Sequence, residues 1–170
     1  MVRRGLIEIQ REYRELLSAY LELVKQELGD SLKAVCVYGS VARGEAGEES
    51  DIDVLIIAVD QPEYLDQRLK PFFKVSRRIR QLKIYQELRG YGKTFSELVF
   101  TPEELERHPP ILLEVLKDGV ILYDPEKLLE KELEKLEKRL EELGAEIVET
   151  PKGHYWILKK DLKPREEVGI

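Results

Sequence analysis

Apolar residues in the first part of the chain recur at spacings of three and four. Leu6, Ile7, Ile9, Leu16, Leu17, Tyr20, Leu23, Val24 and Leu28 fall broadly on one stripe, which predicts a helix over residues 6–28, stopped by Gly29. The period then changes. Ala34 to Tyr38 is a short run with β-branched residues that ends at Gly39, and Ile52 to Val59 is nearly continuous in apolar residues. Such runs fit strands covered on both faces. Between them, Ser40 to Ser50 reads as a short helical turn and then a polar, glycine-bearing loop. Residues from Glu63 to about Arg89 read as helical, broken or restarted at Pro71, where a backbone donor is lost. Phe95 to Phe100 is a third strand, and Thr101-Pro102-Glu103-Glu104 is a helix start with a capping box. That helix is expected to reach about Lys117, followed by a strand at Gly119 to Tyr123. Asp124-Pro125 opens another helix over 126–143 that Gly144 ends, and two short runs around Pro151-Lys152-Gly153 predict a terminal hairpin.

Strands alternating with helices place the chain in the α/β (α+β) class, with a small mixed sheet flanked by helices. At 170 residues and 42% apolar composition it has the size and core content of one domain. Residues 1–124 are read as the main unit and 125–170 as a C-terminal helix and hairpin packed on the same domain. No apolar run approaches the length needed to cross a bilayer, and the N-terminus lacks the apolar core of a signal peptide, so a soluble cytoplasmic protein without membrane contact is expected. Net charge is −6, which argues against a surface that coats duplex nucleic acid. The single cysteine, Cys36, cannot form an internal disulfide and reads as a buried small hydrophobe. His108 and His154 share no metal-binding spacing.

The chemistry lies in Tyr38-Gly39-Ser40-Val-Ala-Arg43-Gly44, which continues to Ser50-Asp51-Ile52-Asp53. If Asp51 begins a strand, Asp51 and Asp53 project from one face, where two carboxylates can share divalent cations. Gly39-Ser40 sits where a strand gives way to a helix, so backbone amides and the Ser40 hydroxyl can approach phosphate oxygens. The other reading of the carboxylates is a solvated strand edge, and of Ser40 a helix cap. Arg43 either binds phosphate or lines the surface. Lys93, just before the third strand, is placed to reach a triphosphate.

Gly-Ser, ten residues, then Asp-x-Asp resembles the signature of the DNA polymerase β-like nucleotidyltransferase superfamily. The fuller string from Gly39 to Gly44 with Ser50 to Asp53 resembles its minimal nucleotidyltransferase (MNT) branch. The likeness extends over about residues 15–123, and the closing run from Gly153 to Pro164 resembles tails of small archaeal members more loosely. This implies the polymerase β-like fold and an enzyme that transfers a nucleoside monophosphate, with ATP the expected donor. Two Mg²⁺ ions would sit on Asp51 and Asp53. It also implies a third carboxylate on a later strand, as a metal ligand or base, and Glu97 is the best-placed acid. Members of this branch are often paired with HEPN-domain proteins as toxin–antitoxin systems, so a HEPN-domain partner is implied. So is the contrasting reading of an antitoxin-type binding module with little catalysis.

Residues 66–93 carry nine basic side chains against two acidic ones, among them Arg68, Arg77, Arg78 and Arg80. They could attract a nucleotide, an RNA or an acidic protein, or form a solvated face. Leu129, Leu133, Leu136, Leu140 and Leu143 make a seam that packs on the domain itself or joins subunits of a homo-oligomer.

Overall fold

The computed structural model describes residues 2–88, 94–151, 153–160 and 169–170. A five-stranded mixed sheet carries the molecule, in the order β1 (Arg3–Arg4), β5 (Val120–Tyr123), β2 (Leu32–Tyr38), β3 (Ile52–Ala58), β4 (Phe95–Phe100). β2 runs antiparallel to both β3 and β5, whereas β3–β4 and β1–β5 are parallel. Because successive side chains on a strand point to opposite faces, the apolar runs of β2 and β3 feed two cores at once. Val35, Val37, Val54 and Ile56 meet Leu17, Tyr20 and Val24 of α1 (Arg14–Leu28) and Phe72, Val75 and Ile79 of α4 (Lys70–Ile79). On the other face Ala34, Cys36, Leu55 and Ile57 meet Leu112 and Val115 of α7 (Ile111–Asp118) and the leucine seam of α8 (Leu128–Leu143). Leu129, Leu133, Leu136 and Leu140 are all buried there, so the seam packs on its own sheet. Each such leucine contributes about 2 kcal/mol of burial.

Two expected helices are interrupted. Residues 6–13 form two short 3-10 turns in place of the first part of α1, because Ile9 and Gln10 are extended. The Arg14 guanidinium takes the freed carbonyls, donating from Nε to Ile9 O at 2.8 Å and from a terminal nitrogen to Ile7 O at 2.7 Å. The helix expected from Thr101 to Lys117 is two, α6 (Pro102–Leu105) and α7, since Pro109-Pro110 removes two amide donors at the junction. The capping box is present: Glu104 N donates to Thr101 Oγ1 at 3.3 Å and Thr101 N to Glu104 Oε2 at 2.9 Å. Asp124 accepts from the amides of Leu128 at 2.8 Å and Glu130 at 3.0 Å, which caps α8. The hairpin is β6 (Glu146–Thr150) with β7 (Gly153–Ile157). Between β3 and β4 the chain forms α3 (Leu65–Arg68), α4 with Pro71 in its first turn, and α5 (Lys83–Glu87).

Arg68 was grouped with the basic run by sequence, yet it is buried. It forks onto Glu104 at 2.6 and 2.9 Å and donates to Val99 O at 3.1 Å, so it fastens α3 to the edge strand β4 and is no part of a polyanion surface. Among the described residues no helix is long and apolar enough to cross a membrane.

Candidate active site

β2 ends at Tyr38 and the chain turns at once into α2 (Gly39–Arg43), a single turn of helix over the start of β3. Gly39 makes this turn with φ of 71°, a conformation that other residues adopt only with strain. It also admits a close approach: a Cβ on Gly39 would lie 2.5 Å from Oδ2 of Asp53. Ser40 stands inside the helical turn and makes no side-chain cap, which removes the capping role weighed from sequence. Among the described residues its hydroxyl has no hydrogen-bond partner, and the first amides of any helix lack intrahelical acceptors. Gly44, also at positive φ, closes the turn.

Asp51 lies one residue before β3 and Asp53 in it, two apart and so on one face. Asp51 is exposed, and Thr94 Oγ1 donates to its Oδ1 at 2.5 Å. Asp53 is half-buried, in register with Tyr38 on one side and Ser96 on the other. Burial, and secondarily the Asp51 charge, push the Asp53 carboxyl above the usual carboxylate range, while Arg43 pulls it down. Burial together with Asp53 raises the Tyr38 hydroxyl to about 12, so it stays a neutral hydrogen-bonding group. Thr94 and Tyr38 are therefore neighbours of the carboxylate pair that the spacing of charged residues did not single out. Tyr38 abuts Gly39 in the motif, whereas no local pattern marks Thr94.

Arg43 is held at the edge of this site. Its Nε donates to Glu45 at 2.7 Å and a terminal nitrogen donates to Asp118 at 2.7 Å, tying α2 to the end of α7. Its charge is felt at Asp53, but the guanidinium is already committed to two carboxylates. Lys93 lies outside the described residues.

Glu97 does not join the pair. β3 and β4 are parallel with Asp53 beside Ser96 and Val54 beside Glu97, so Glu97 shares the face of Val54, opposite to Asp53. There it accepts a hydrogen bond from the Tyr20 hydroxyl at 3.0 Å, and Tyr20 stacks on Phe95 with ring centroids 3.9 Å apart. Burial pushes the Glu97 carboxyl up to about 7. The expectation of a shared metal site is corrected by this register. Among the described residues no three His, Cys, Asp or Glu side chains are arranged to hold a metal ion. Cys36 is fully buried and its thiol is pushed up to about 12, which leaves it inert.

The chain is 28% identical over 145 residues to a Methanocaldococcus jannaschii protein named "Putative protein adenylyltransferase MJ1305", covering 84% of this chain and 93% of that protein. A second protein of that organism, "Putative protein adenylyltransferase MJ1215", is 34% identical over 62 residues, 36% of this chain and 70% of its own length. Among solved structures, a chain from the crystal structure of a toxin-antitoxin with AMP-PNP aligns with a TM-score of 0.45 and 13% identity, over 79% of this chain and 94% of that chain. A chain from the tri-AMPylated Shewanella oneidensis HEPN toxin in complex with MNT antitoxin aligns with a TM-score of 0.41 and 11% identity, over 76% of this chain and 92% of that one. The family model for polymerase beta, nucleotidyltransferase, matches residues 15–128, which span the Gly39-Ser40 turn, both carboxylates and every strand of the sheet except β1. The chain, matched over more than half its length, belongs to the polymerase beta nucleotidyltransferase family and is a nucleotidyltransferase.

Proposed function

We propose that this nucleotidyltransferase moves an adenylyl group from ATP to a hydroxyl on a partner protein, with Asp51 and Asp53 holding Mg²⁺ against the triphosphate. One observation carries the reading: Asp53, with Asp51 two residues before it on the same face, stands directly against Gly39, with room for a hydrogen and no more there. The residues fit the ion. Burial and the neighbouring Asp51 charge raise the Asp53 carboxyl, so its charged form is disfavoured when alone and a hard cation would relieve that cost. Two carboxylates leave most coordination positions to phosphate oxygens and water, as Mg²⁺ prefers. Bound there, the ions would neutralise charge on the triphosphate and favour the deprotonated acceptor hydroxyl.

The chain's own groups do the positioning. The Ser40 hydroxyl and the first amides of α2 would hold the β- and γ-phosphates, while Thr94 hydrogen-bonds Asp51 and Arg43 ties α2 to α7. The acceptor hydroxyl then gives up its proton to solvent water as its oxygen attacks the α-phosphorus, the bond to the bridging oxygen breaks, and pyrophosphate leaves with that electron pair. Adenine as the base and protein as the acceptor are supported by the names of the relatives, and a HEPN-domain protein as the acceptor by the motif's resemblance to the MNT branch.

The test is incubation of the protein with α-labelled ATP, Mg²⁺ and a HEPN-domain protein encoded beside it, followed by mass spectrometry of both. Label on a hydroxyl side chain of the partner, abolished by chelation and by Asp51→Asn with Asp53→Asn, is the expected result. Label on RNA or on a small molecule instead would overturn the protein acceptor. Full neutralisation of the partner by the double variant, with no transfer by the unaltered protein, would favour the steric binding module.

A further inference from the structure

We propose that one face of α4 and its C-cap, formed by Lys70, Phe73, Arg77 and the capping Arg80, docks an acidic amphipathic helix of a partner protein. This rests on the reading of a protein acceptor only in supplying a reason for such a surface.

α4 buries Phe72, Val75 and Ile79 against α1. On one flank its cations are answered by that neighbour: Lys74 pairs with Glu27 at 2.6 Å and Arg78 donates to Gln26 at 2.9 Å. The other flank is different. Phe73 is 66% exposed there, although a phenylalanine can bury its ring on either side of a packed helix. Lys70, Arg77 and Arg80 are exposed around it, and among the described residues none of the three side chains makes an ion pair or hydrogen bond. Spacings of three, four and three align the four side chains in one stripe of about 15 Å along the helix. Tyr64 and Leu65, 65% and 63% exposed, precede the stripe, and the nearby Glu63 and Asp66 form no ion pair with it.

An exposed aromatic ring flanked by unanswered arginines has the composition of a binding hot spot. The partner that matches is a helix of the same periodicity, with an apolar side chain against Phe73 and carboxylates on either side. A polynucleotide matches less well. Its charge would have to run past a chain of net charge −6, and the stripe offers a single ring for stacking. A stripe of three turns buries too little for a permanent complex, so the contact is transient.

The probe is a fluorescein-labelled helical peptide of about 18 residues, long enough to hold helix in water, with leucines on one face flanked by glutamates. Its controls are the same peptide with lysine for glutamate and a single-stranded RNA of similar length. Anisotropy at low salt should show the acidic peptide binding with a Kd on the order of 100 µM, as suits a small interface. Phe73→Ala, and Arg77→Glu with Arg80→Glu, should each weaken it tenfold or more, while Lys74→Ala stays within twofold. Salt should weaken the complex, and neither control should bind. No binding of the acidic peptide, or equal binding to the charge-reversed variant, overturns the proposal. RNA binding that needs the same arginines makes the stripe a polynucleotide surface instead. Because anisotropy requires no ATP, the Asp51→Asn, Asp53→Asn protein must bind the peptide as the unaltered protein does. Docking without protein modification would remove the acceptor reading alone.

Discussion

A Cβ placed on Gly39 would stand 2.5 Å from Oδ2 of Asp53, so the turn after β2 and the carboxylate of β3 interlock. Gly39→Ala therefore meets two penalties, a left-handed φ of 71° and a clash with the Asp53 carboxylate, the group proposed to hold the cation. Gly44→Ala is the control: its φ is 76°, yet nothing lies within 4 Å of its would-be Cβ. Both should lose about 1 kcal/mol of stability to backbone strain. Only Gly39→Ala should also lose nucleotide transfer, by a hundredfold or more, equivalent to about 3 kcal/mol of transition-state stabilisation. Steady-state rates beside urea denaturation curves separate the two effects.

Asp51 and Asp53 repel each other across one face. Converting both to Asn keeps their size and removes that repulsion, so the variant should unfold at a slightly higher temperature than the unaltered protein when no divalent ion is added. Mg²⁺ with a non-hydrolysable ATP analogue should raise the melting temperature of the unaltered protein and leave the variant unmoved, since ligand binding stabilises only a state that binds. A thermal-shift titration reads both. An equal Mg²⁺-dependent shift in the variant would take the ion away from this pair.

The parts of the site legible in the sequence are those that one short segment builds. Gly39, Ser40, Asp51 and Asp53 belong to one strand–turn–helix–strand unit, and the i, i+2 spacing fixes a shared face without reference to anything distant. The Thr101–Glu104 capping box was legible for the same reason. What failed depended on partners far along the chain. Whether Glu97 faces Asp53 or Val54 is decided by the inter-strand register, and a slip of one residue reverses the answer. Arg68 looked like part of a basic surface because Glu104, which neutralises it, is 36 residues away. β1 spans two residues, Arg3–Arg4, and carries no periodic signal.

Glu97 gives stability a pH dependence of known sign. Burial raises its carboxyl from 4.5 to about 7, so the native state prefers the neutral form. Its contribution is whole below about pH 4.5 and is lost as pH climbs through 7, by at most about 3 kcal/mol. Glu97→Gln retains an oxygen to accept from Tyr20 and cannot ionise. It should match the unaltered protein at pH 4.5 and be more stable by about 1–3 kcal/mol at pH 8. Urea midpoints at the two pH values check this, and a difference that does not grow with pH would return Glu97 to an exposed setting.

Arg68 and Glu104 form an ion pair whose two ends are enclosed to different degrees. The arginine side chain is 5% exposed and the glutamate 32%, so loss of either leaves unequal charges behind. Glu104→Gln strands a buried guanidinium that still reaches the carbonyls of Pro62 and Val99, and leaves one carboxamide oxygen where two carboxylate oxygens had served Arg68 and Thr101 N. Arg68→Met fills the same space with apolar atoms and leaves Glu104 near enough to water to be solvated. Glu104→Gln should therefore be the more damaging, by about 1–2 kcal/mol, on the view that an uncompensated buried charge costs more than a missing pair. The double variant should fall between them in stability or recover part of the loss. Urea unfolding of the four proteins as a double-mutant cycle measures the coupling. A coupling energy near zero would mean that Arg68 holds β4 through the two carbonyls alone.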